Sequence, residues 1–274
     1  MLRKTIEKEV YLRGIGVFSG NILDVILSPS ICGKGIKIIR SDLKENNVII
    51  ISKNANFDEK KMSTTVSNGF CSVSLIEHLF SCLWNFGISD IDIYVNGDEL
   101  PMFDGSAKFW LNAINFAGIH EFDEEITCKY LDKEYVVEYD DKFIIAKPCD
   151  NLKITYTMDF NESILGKSQY CFDSTKNSFN KDIALARTFC TINQVEEHKK
   201  IKKHFTNNEI IIFDNDKFSV SNNSLRYPSE PIRHKILDII GDLMSSGEVI
   251  CCEIVANKSG HMMNRELINK ILDK

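Results

Sequence analysis

No run of about twenty apolar residues occurs anywhere in the chain, so no helical membrane span is expected. The first nine residues, Met1-Leu2-Arg3-Lys4-Thr5-Ile6-Glu7-Lys8-Glu9, are charged and lack the apolar core of a secretion signal. Positive charge is in deficit. With 33 Lys and Arg against 39 Asp and Glu the net charge is −6, which argues against a nucleic-acid partner. Short basic runs such as Lys199-Lys200 and Lys202-Lys203 are accounted for by a solvated helix face. Nine cysteines are an odd number, and none are spaced Cys-x-x-Cys. That argues against a disulfide framework or a thiolate zinc knuckle and for a reducing, cytoplasmic compartment. The His-Glu-x-x-His signature of metalloproteases is absent as well. Gly14-Ile15-Gly16-Val17-Phe18-Ser19-Gly20 is glycine-rich but lacks the Lys-Ser/Thr that completes a phosphate loop. It reads as a tight connection between two strands.

What is present describes a soluble globular protein. At 274 residues, 43% hydrophobic and 26% charged, the chain accommodates two ordinary domains or one large one. Short apolar or alternating runs at residues 10–12, 23–27, 36–39 and 48–51 predict strands. A helix over residues 74–84 closes at Gly87, a strand covers 91–95, and a second helix runs from Asp104-Gly105-Ser106 to Gly118. The acidic stretch 120–125 is the expected linker. Beyond it, strands are expected at 135–138, 143–146, 152–160 and 169–172, a basic helical segment at 195–203 and a short strand at 210–213. A helix, a strand at 249–255 and a helix at 261–272 follow. Each half thus closes with helix, strand, helix. The order predicts two similar α+β domains, residues 1–122 and 123–274, although no residue-level repeat supports duplication.

The second half's first closing helix, expected over 230–246, poses the chemical question. Ser229-Glu230-Pro231 supplies a serine cap, an early acid and a first-turn proline. Ile236, Leu237, Ile239, Ile240 and Leu243 give it a packed surface, while His234, Asp238 and Asp242 recur every four residues on one stripe. Polar groups on a buried stripe are costly unless satisfied, and a divalent metal satisfies imidazole and carboxylate together. The plainer alternatives are an exposed polar face or an i,i+4 hydrogen bond.

Only six histidines are present. His120, His198 and His204 lie in polar sequence and read as surface residues. His78 sits between Leu75, Ile76, Leu79 and Phe80, where a lone histidine is usually a satisfied core residue. Its neighbour Glu77 completes a capping box with Ser74. Yet adjacent helical residues point about 100° apart, which lets one bind a metal while the other handles the attacking water. His78, His234 and Asp238 then make three protein ligands with a fourth position open, the hydrolytic zinc pattern. His261, at a strand-to-helix junction, can donate to an oxyanion or protonate a leaving amine, with Asp242 holding the ring in its charged form.

Along nearly its whole length the sequence resembles the zinc-dependent UDP-3-O-acyl-N-acetylglucosamine deacetylases of lipid A biosynthesis. The resemblance is carried by Gly14-Ile15-Gly16 with Ser19-Gly20, Ser63-Thr64-Thr65, Glu77-His78-Leu79 and Pro101-Met102-Phe103-Asp104-Gly105-Ser106-Ala107. It continues through Asp159-Phe160-Asn161, Ala186-Arg187-Thr188-Phe189, Leu225-Arg226-Tyr227, Arg233 to Asp242 and Ser259-Gly260-His261. What the resemblance implies is two like α+β domains face to face, with the site between them. It further implies zinc on His78, His234 and Asp238; the same donors accept ferrous iron. Glu77 is implied as general base, His261 as the cationic acid oriented by Asp242, and Thr188 as an oxyanion donor. Lys235 is implied as a substrate contact, Phe160 as a stacking surface for uracil, and Phe189 along an acyl passage formed by an insert at about 190–213. The expected partner is a UDP-linked acylated glucosamine, and the expected state a monomer.

Three departures stand out. The family's His after Gly-Ile-Gly-x is Phe18, its His-Pro after Asp-Phe-x is Glu162-Ser163, and its Gly-Gly-Ser segment is replaced by about Phe205-Thr206-Asn207-Asn208-Glu209. They leave every ligand and catalytic position intact and bear on substrate contacts and acyl length. Two alternatives remain beside the main reading: the same chemistry on another N-acyl sugar nucleotide, and a catalytically idle binding protein.

Overall fold

The first third is rich in hairpins, and its strands Ile22–Pro29 and Ile91–Val95 bury every second side chain along most of their length. A computed structural model describes residues 1–53, 56–57, 62–160, 166–191, 210–214, 217–219 and 224–273. The expected insert helix at 195–203, His198, His204, Glu162-Ser163 and residues 205–209 lie outside the described residues.

The first large sheet runs in the order Val10–Ile15, Ile22–Pro29, Ile91–Val95, Ile36–Arg40, Val48–Ile50. Its middle strand, Ile91–Val95, lies between helices α1 (Glu77–Phe86) and α2 (Lys108–Ala117), antiparallel to Ile22–Pro29 and parallel to Ile36–Arg40. The second large sheet runs Tyr135–Tyr139, Lys142–Pro148, Ile250–Asn257, Lys153–Phe160, Gly166–Asp173, with Lys129–Tyr130 added alongside Ile250–Asn257. A short helix α3 (Phe179–Asp182) precedes α4 (Glu230–Met244) and α5 (His261–Ile271). Ile250–Asn257 lies between α4 and α5, antiparallel to Lys142–Pro148 and parallel to Lys153–Phe160. Strand order and strand senses are thus the same in both sheets, where the residues show no repeat. The protein is α+β, with several sheets and few helices.

Helices α1 and α4 pack against one another and make the most extensive helix contact among the described residues. Gly241 makes it close: a Cβ there would stand 2.1 Å from the Glu77 carbonyl oxygen. Leu79, Phe80 and Leu83 of α1 join Ile236, Leu237 and Ile240 of α4 in one contiguous core, each fully buried. Burial at this level contributes roughly 1.5–3 kcal/mol per large apolar side chain. No described helix is long and apolar enough to cross a membrane.

Several local expectations are corrected. The stretch expected as linker is a strand, Ile119–Glu125, paired antiparallel with an unexpected N-terminal strand, Leu2–Ile6. Two segments poor in apolar residues satisfy their backbones by pairing with each other. The Ser74–Glu77 capping box does not form; α1 begins at Glu77 with no side-chain cap. Nor does Ser229 cap α4, because its hydroxyl accepts a bond from Arg233 Nε at 2.9 Å. Glu230 is buried, pairing with Arg187 Nε at 2.8 Å and accepting the Arg226 N–H at 2.6 Å. The helix expected to reach 246 ends at Met244.

Candidate active site

The chain enters α1 through Leu75, whose φ of +63° puts a bulky residue in the left-handed region. Such strain persists only where the surroundings enforce it, and here it turns Glu77 and His78 inward. Both are buried. Instead of capping its own helix, Glu77 accepts the Thr64 N–H on Oε2 at 3.0 Å. Burial pushes its carboxyl up to about 8, with the His261 charge opposing the rise. His78 is driven down to about 3 by burial and by the neighbouring His234, so its imidazole is neutral. Its buried Nδ1 has no hydrogen-bond partner among the described residues.

The stripe on α4 is buried, not an exposed polar face: His234, Asp238 and Asp242 are each 3% exposed. His234 Nδ1 lies 3.0 Å from the Ala186 carbonyl, which can only accept, so Nδ1 carries the proton and Nε2 a lone pair. That Nε2 faces Asp238 Oδ1 at 3.3 Å. Burial also lowers His234. For Asp238, burial works against ionisation, but the Lys235 ammonium at 2.6 Å and the charged His261 ring outweigh it and keep the carboxylate charged. Two lone-pair atoms at such a distance attract only through a cation between them. The His78 and His234 rings meet edge to face at 5.1 Å, and one ligand atom from each of His78, His234 and Asp238 lies within 4.8 Å of the others. Two neutral imidazoles, one carboxylate and an unpartnered buried nitrogen fit a divalent metal.

Across this trio stands His261, the first residue of α5. Its Nε2 is 4.0 Å from Glu77 Oε1 and 3.9 Å from Asp238 Oδ2, and its Nδ1 is 2.9 Å from Asp242 Oδ2. Burial disfavours the charged ring, but Asp242 more than offsets it and His261 is pushed up to about 9. Asp242 stands behind the imidazole and is held by the Thr64 hydroxyl and by Asn264 Nδ2 at 2.8 Å.

Glu77, His78, His234, Asp238 and His261 open onto one cavity of about 680 Å³, which Lys235, Thr188 and Phe189 also line. Thr188 is fixed by its N–H donating to the Gly105 carbonyl at 2.7 Å. Phe189 packs edge to face on Phe213, ring centres 5.9 Å apart. Phe160 ends the strand Lys153–Phe160, and its side chain lies outside the described residues. The glycine-rich segment is the expected connection between two strands, and it brings Phe18 to the cavity wall.

Glu99 shapes that segment. Its carboxylate accepts the Phe18 N–H at 2.9 Å and the Ser19 N–H at 2.7 Å, and a Cβ on Gly16 would meet it at 2.2 Å. Glu99 and Asn264 carry no signal that marks them in the sequence, and nothing local pairs Arg187 with Glu230, because each acts on groups far away in the chain. Thr64 lies in a motif of the resemblance, but nothing local assigns it a contact.

The family model described as UDP-3-O-acyl N-acetylglycosamine deacetylase matches residues 3–273. A protein of Chlamydia abortus named UDP-3-O-acyl-N-acetylglucosamine deacetylase is 33% identical over 275 residues, covering 99% of this chain and 97% of the relative. Same-named proteins of Chlamydia trachomatis serovar L2 (32% identical, 99% of this chain, 95% of the relative) and Anaeromyxobacter dehalogenans (31%, 98% and 87%) are also similar. By both measures the chain belongs to the UDP-3-O-acyl N-acetylglycosamine deacetylase family.

Proposed function

We propose that this protein hydrolyses the N-acetyl group of UDP-3-O-(hydroxyacyl)-N-acetylglucosamine, releasing acetate and the free amine, the committed step of lipid A biosynthesis. The observation that carries the reading is the convergence of a three-donor metal site, a buried glutamate and a charged histidine on one cavity. His78, His234 and Asp238 are assigned as ligands of zinc, the ion the family resemblance favours over ferrous iron. When bound, that ion supplies Lewis acidity to the amide carbonyl and to the attacking water.

The chain's own residues do the rest. Glu77 takes a proton from the water as the water oxygen bonds to the amide carbon. Thr188 donates its hydroxyl to the carbonyl oxygen as that atom gains negative charge. As the C–N bond breaks, the electron pair leaves with nitrogen and His261 delivers a proton to it, with Asp242 holding the imidazolium. Lys235 is assigned to substrate, Phe160 to the uracil face and Phe189 to the acyl passage.

The architecture assigned to this chemistry is two like α+β domains, residues 1–122 and 123–274, facing each other across the site. The shared strand order and the α1–α4 contact support it. Phe18 on the cavity wall supports an altered acyl preference. A chain-length profile matching typical family members would remove that last assignment.

The test is acetate release by the zinc-reconstituted enzyme, with Glu77→Ala alongside. Release that needs both metal and Glu77 is the expected result. Tight zinc binding without release would point to another N-acyl sugar nucleotide, and failure to bind zinc to an idle relative.

A further inference from the structure

One residue outside the proposed reacting set touches Glu77, Asp242 and His261 alike. Thr64 lies on the segment that crosses the start of α1. Its N–H donates to Glu77 Oε2 at 3.0 Å, and its carbonyl accepts the Ile76 N–H at 3.4 Å. Two backbone bonds therefore tie residue 64 to the beginning of the helix. The same residue reaches α4 and α5. Its hydroxyl donates to Asp242 Oδ1 and stands 3.3 Å from His261 Nδ1. Thr64 is 7% exposed, so water does not compete freely for these bonds.

From the side of Asp242, both carboxylate oxygens are engaged. Oδ1 takes the Thr64 hydroxyl and lies 3.2 Å from His261 Nδ1; Oδ2 takes Asn264 Nδ2 at 2.8 Å and His261 Nδ1 at 2.9 Å. A carboxylate held in this way cannot turn without breaking a bond, and the imidazole plane follows the carboxylate. Thr64 is a residue whose backbone grips Glu77 and whose hydroxyl grips the group that aims His261.

We propose that Thr64 is a positioning residue that fixes the separation of the proton acceptor Glu77 and the proton donor His261. The inference rests on the roles proposed for those two residues. Loss of the hydroxyl leaves a buried carboxylate oxygen short of a donor. Asp242 then turns and the His261 ring turns with it, while the backbone bond to Glu77 survives. Proton delivery suffers; substrate binding and the metal site do not.

The test uses the full-length zinc-loaded enzyme with Thr64→Val, which removes the hydroxyl at nearly constant volume, and Thr64→Ser, which keeps it. In Thr64→Val kcat is expected to fall about 10–100-fold, the range for outer-sphere partners, with KM and bound zinc unchanged. Thr64→Ser should recover most of the loss. A second readout needs no substrate: in isotope-labelled protein the His261 Nδ1 proton should be protected from exchange in wild type and Thr64→Ser and lose protection in Thr64→Val. A wild-type kcat or an unchanged His261 resonance in Thr64→Val overturns the proposal, as does a serine variant impaired as badly as the valine one. If Thr64→Val does not fold, Thr64→Ala replaces it with the same expectations. Absence of acetate release from the wild type would count against the proposed reaction, and the resonance would still decide the role of Thr64.

Discussion

Glu77 Oε1 and His261 Nε2 face each other at 4.0 Å, one at the first residue of α1 and the other at the first residue of α5. Two helix starts far apart in the chain thereby place the proposed proton acceptor and the proposed proton donor on either side of one gap. Neither group is held by its own helix. Glu77 is held by Thr64 and His261 by Asp242.

If these two residues work as a unit, their losses should not multiply. Glu77→Gln and His261→Gln are each expected to lower kcat by roughly 10²–10⁴-fold, the usual worth of a general acid or base. The double variant should fall little further than the worse single one. Steady-state kinetics on the three variants checks this. A double loss equal to the product of the singles would show independent action.

Gly241→Ala sets two effects against each other. Helix propensity alone favours alanine by about 1 kcal/mol. The new Cβ would stand 2.1 Å from the Glu77 carbonyl oxygen, which is backbone and cannot swing away. Overpacking of this kind costs about 1–3 kcal/mol, so destabilisation is expected. Because α1 and α4 carry the proposed metal donors, zinc affinity is expected to fall as well. Thermal unfolding and a zinc titration of the variant test both.

Arg187 and Glu230 form a buried ion pair at 2.8 Å next to Ala186, whose carbonyl orients His234. Glu230→Gln leaves the guanidinium uncompensated, a loss of about 3–5 kcal/mol. It also loosens the outer partner of a ligand histidine, for which about 10–100-fold weaker zinc binding is expected. Urea unfolding and chelator competition separate the two effects.

Asp90 is fully buried; its carboxylate takes Arg3 Nε and Nη2, each at 2.8 Å, and the Gly35 N–H at 2.7 Å. Burial alone would raise its pKa, but these bonds prevail and the folded value lies below the ordinary one. A depressed folded pKa contributes stability that is fully present above the unfolded value, near 3.9, and is lost as pH falls through the folded value. Asp90→Asn should therefore cost on the order of 3 kcal/mol at neutral pH. The gap from wild type should narrow below about pH 4. Unfolding at a series of acid pH values reads it, and a gap that stays constant would show that Asp90 does not titrate this way.

Zinc added to chelator-stripped protein should raise the unfolding temperature, since an ion at about 100 times its Kd stabilises by about 2.7 kcal/mol. Asp238→Ala should abolish the shift. Scanning calorimetry compares the two proteins, and an equal shift in both would move the metal elsewhere.

Much of the site was readable because it depends on helix geometry, which is local. The repeat of His234, Asp238 and Asp242 every four residues puts them on one stripe in any helix. The adjacency of Glu77 and His78 splits their directions in the same way. Alternation likewise marked strands such as Ile91–Val95 and Ile250–Asn257, whose side chains alternate between more and less buried.

What remained unread depends on a partner distant in the chain. The stretch 119–125 has a linker's composition and becomes a strand only because Leu2–Ile6 lies beside it. Ser74 and Glu77 have the spacing of a capping box, but the Thr64 N–H claims the glutamate. Thr64 and Glu99 are ordinary residues until the fold brings Asp242 to one and the Phe18 loop to the other. The sequence by itself determined the elements and the donor types, through periodicities set by backbone geometry within a few residues. Tertiary structure decided which donors meet, how far apart they stand and which protonation states they hold, because burial and charge at a site are summed over chain segments that only folding brings together.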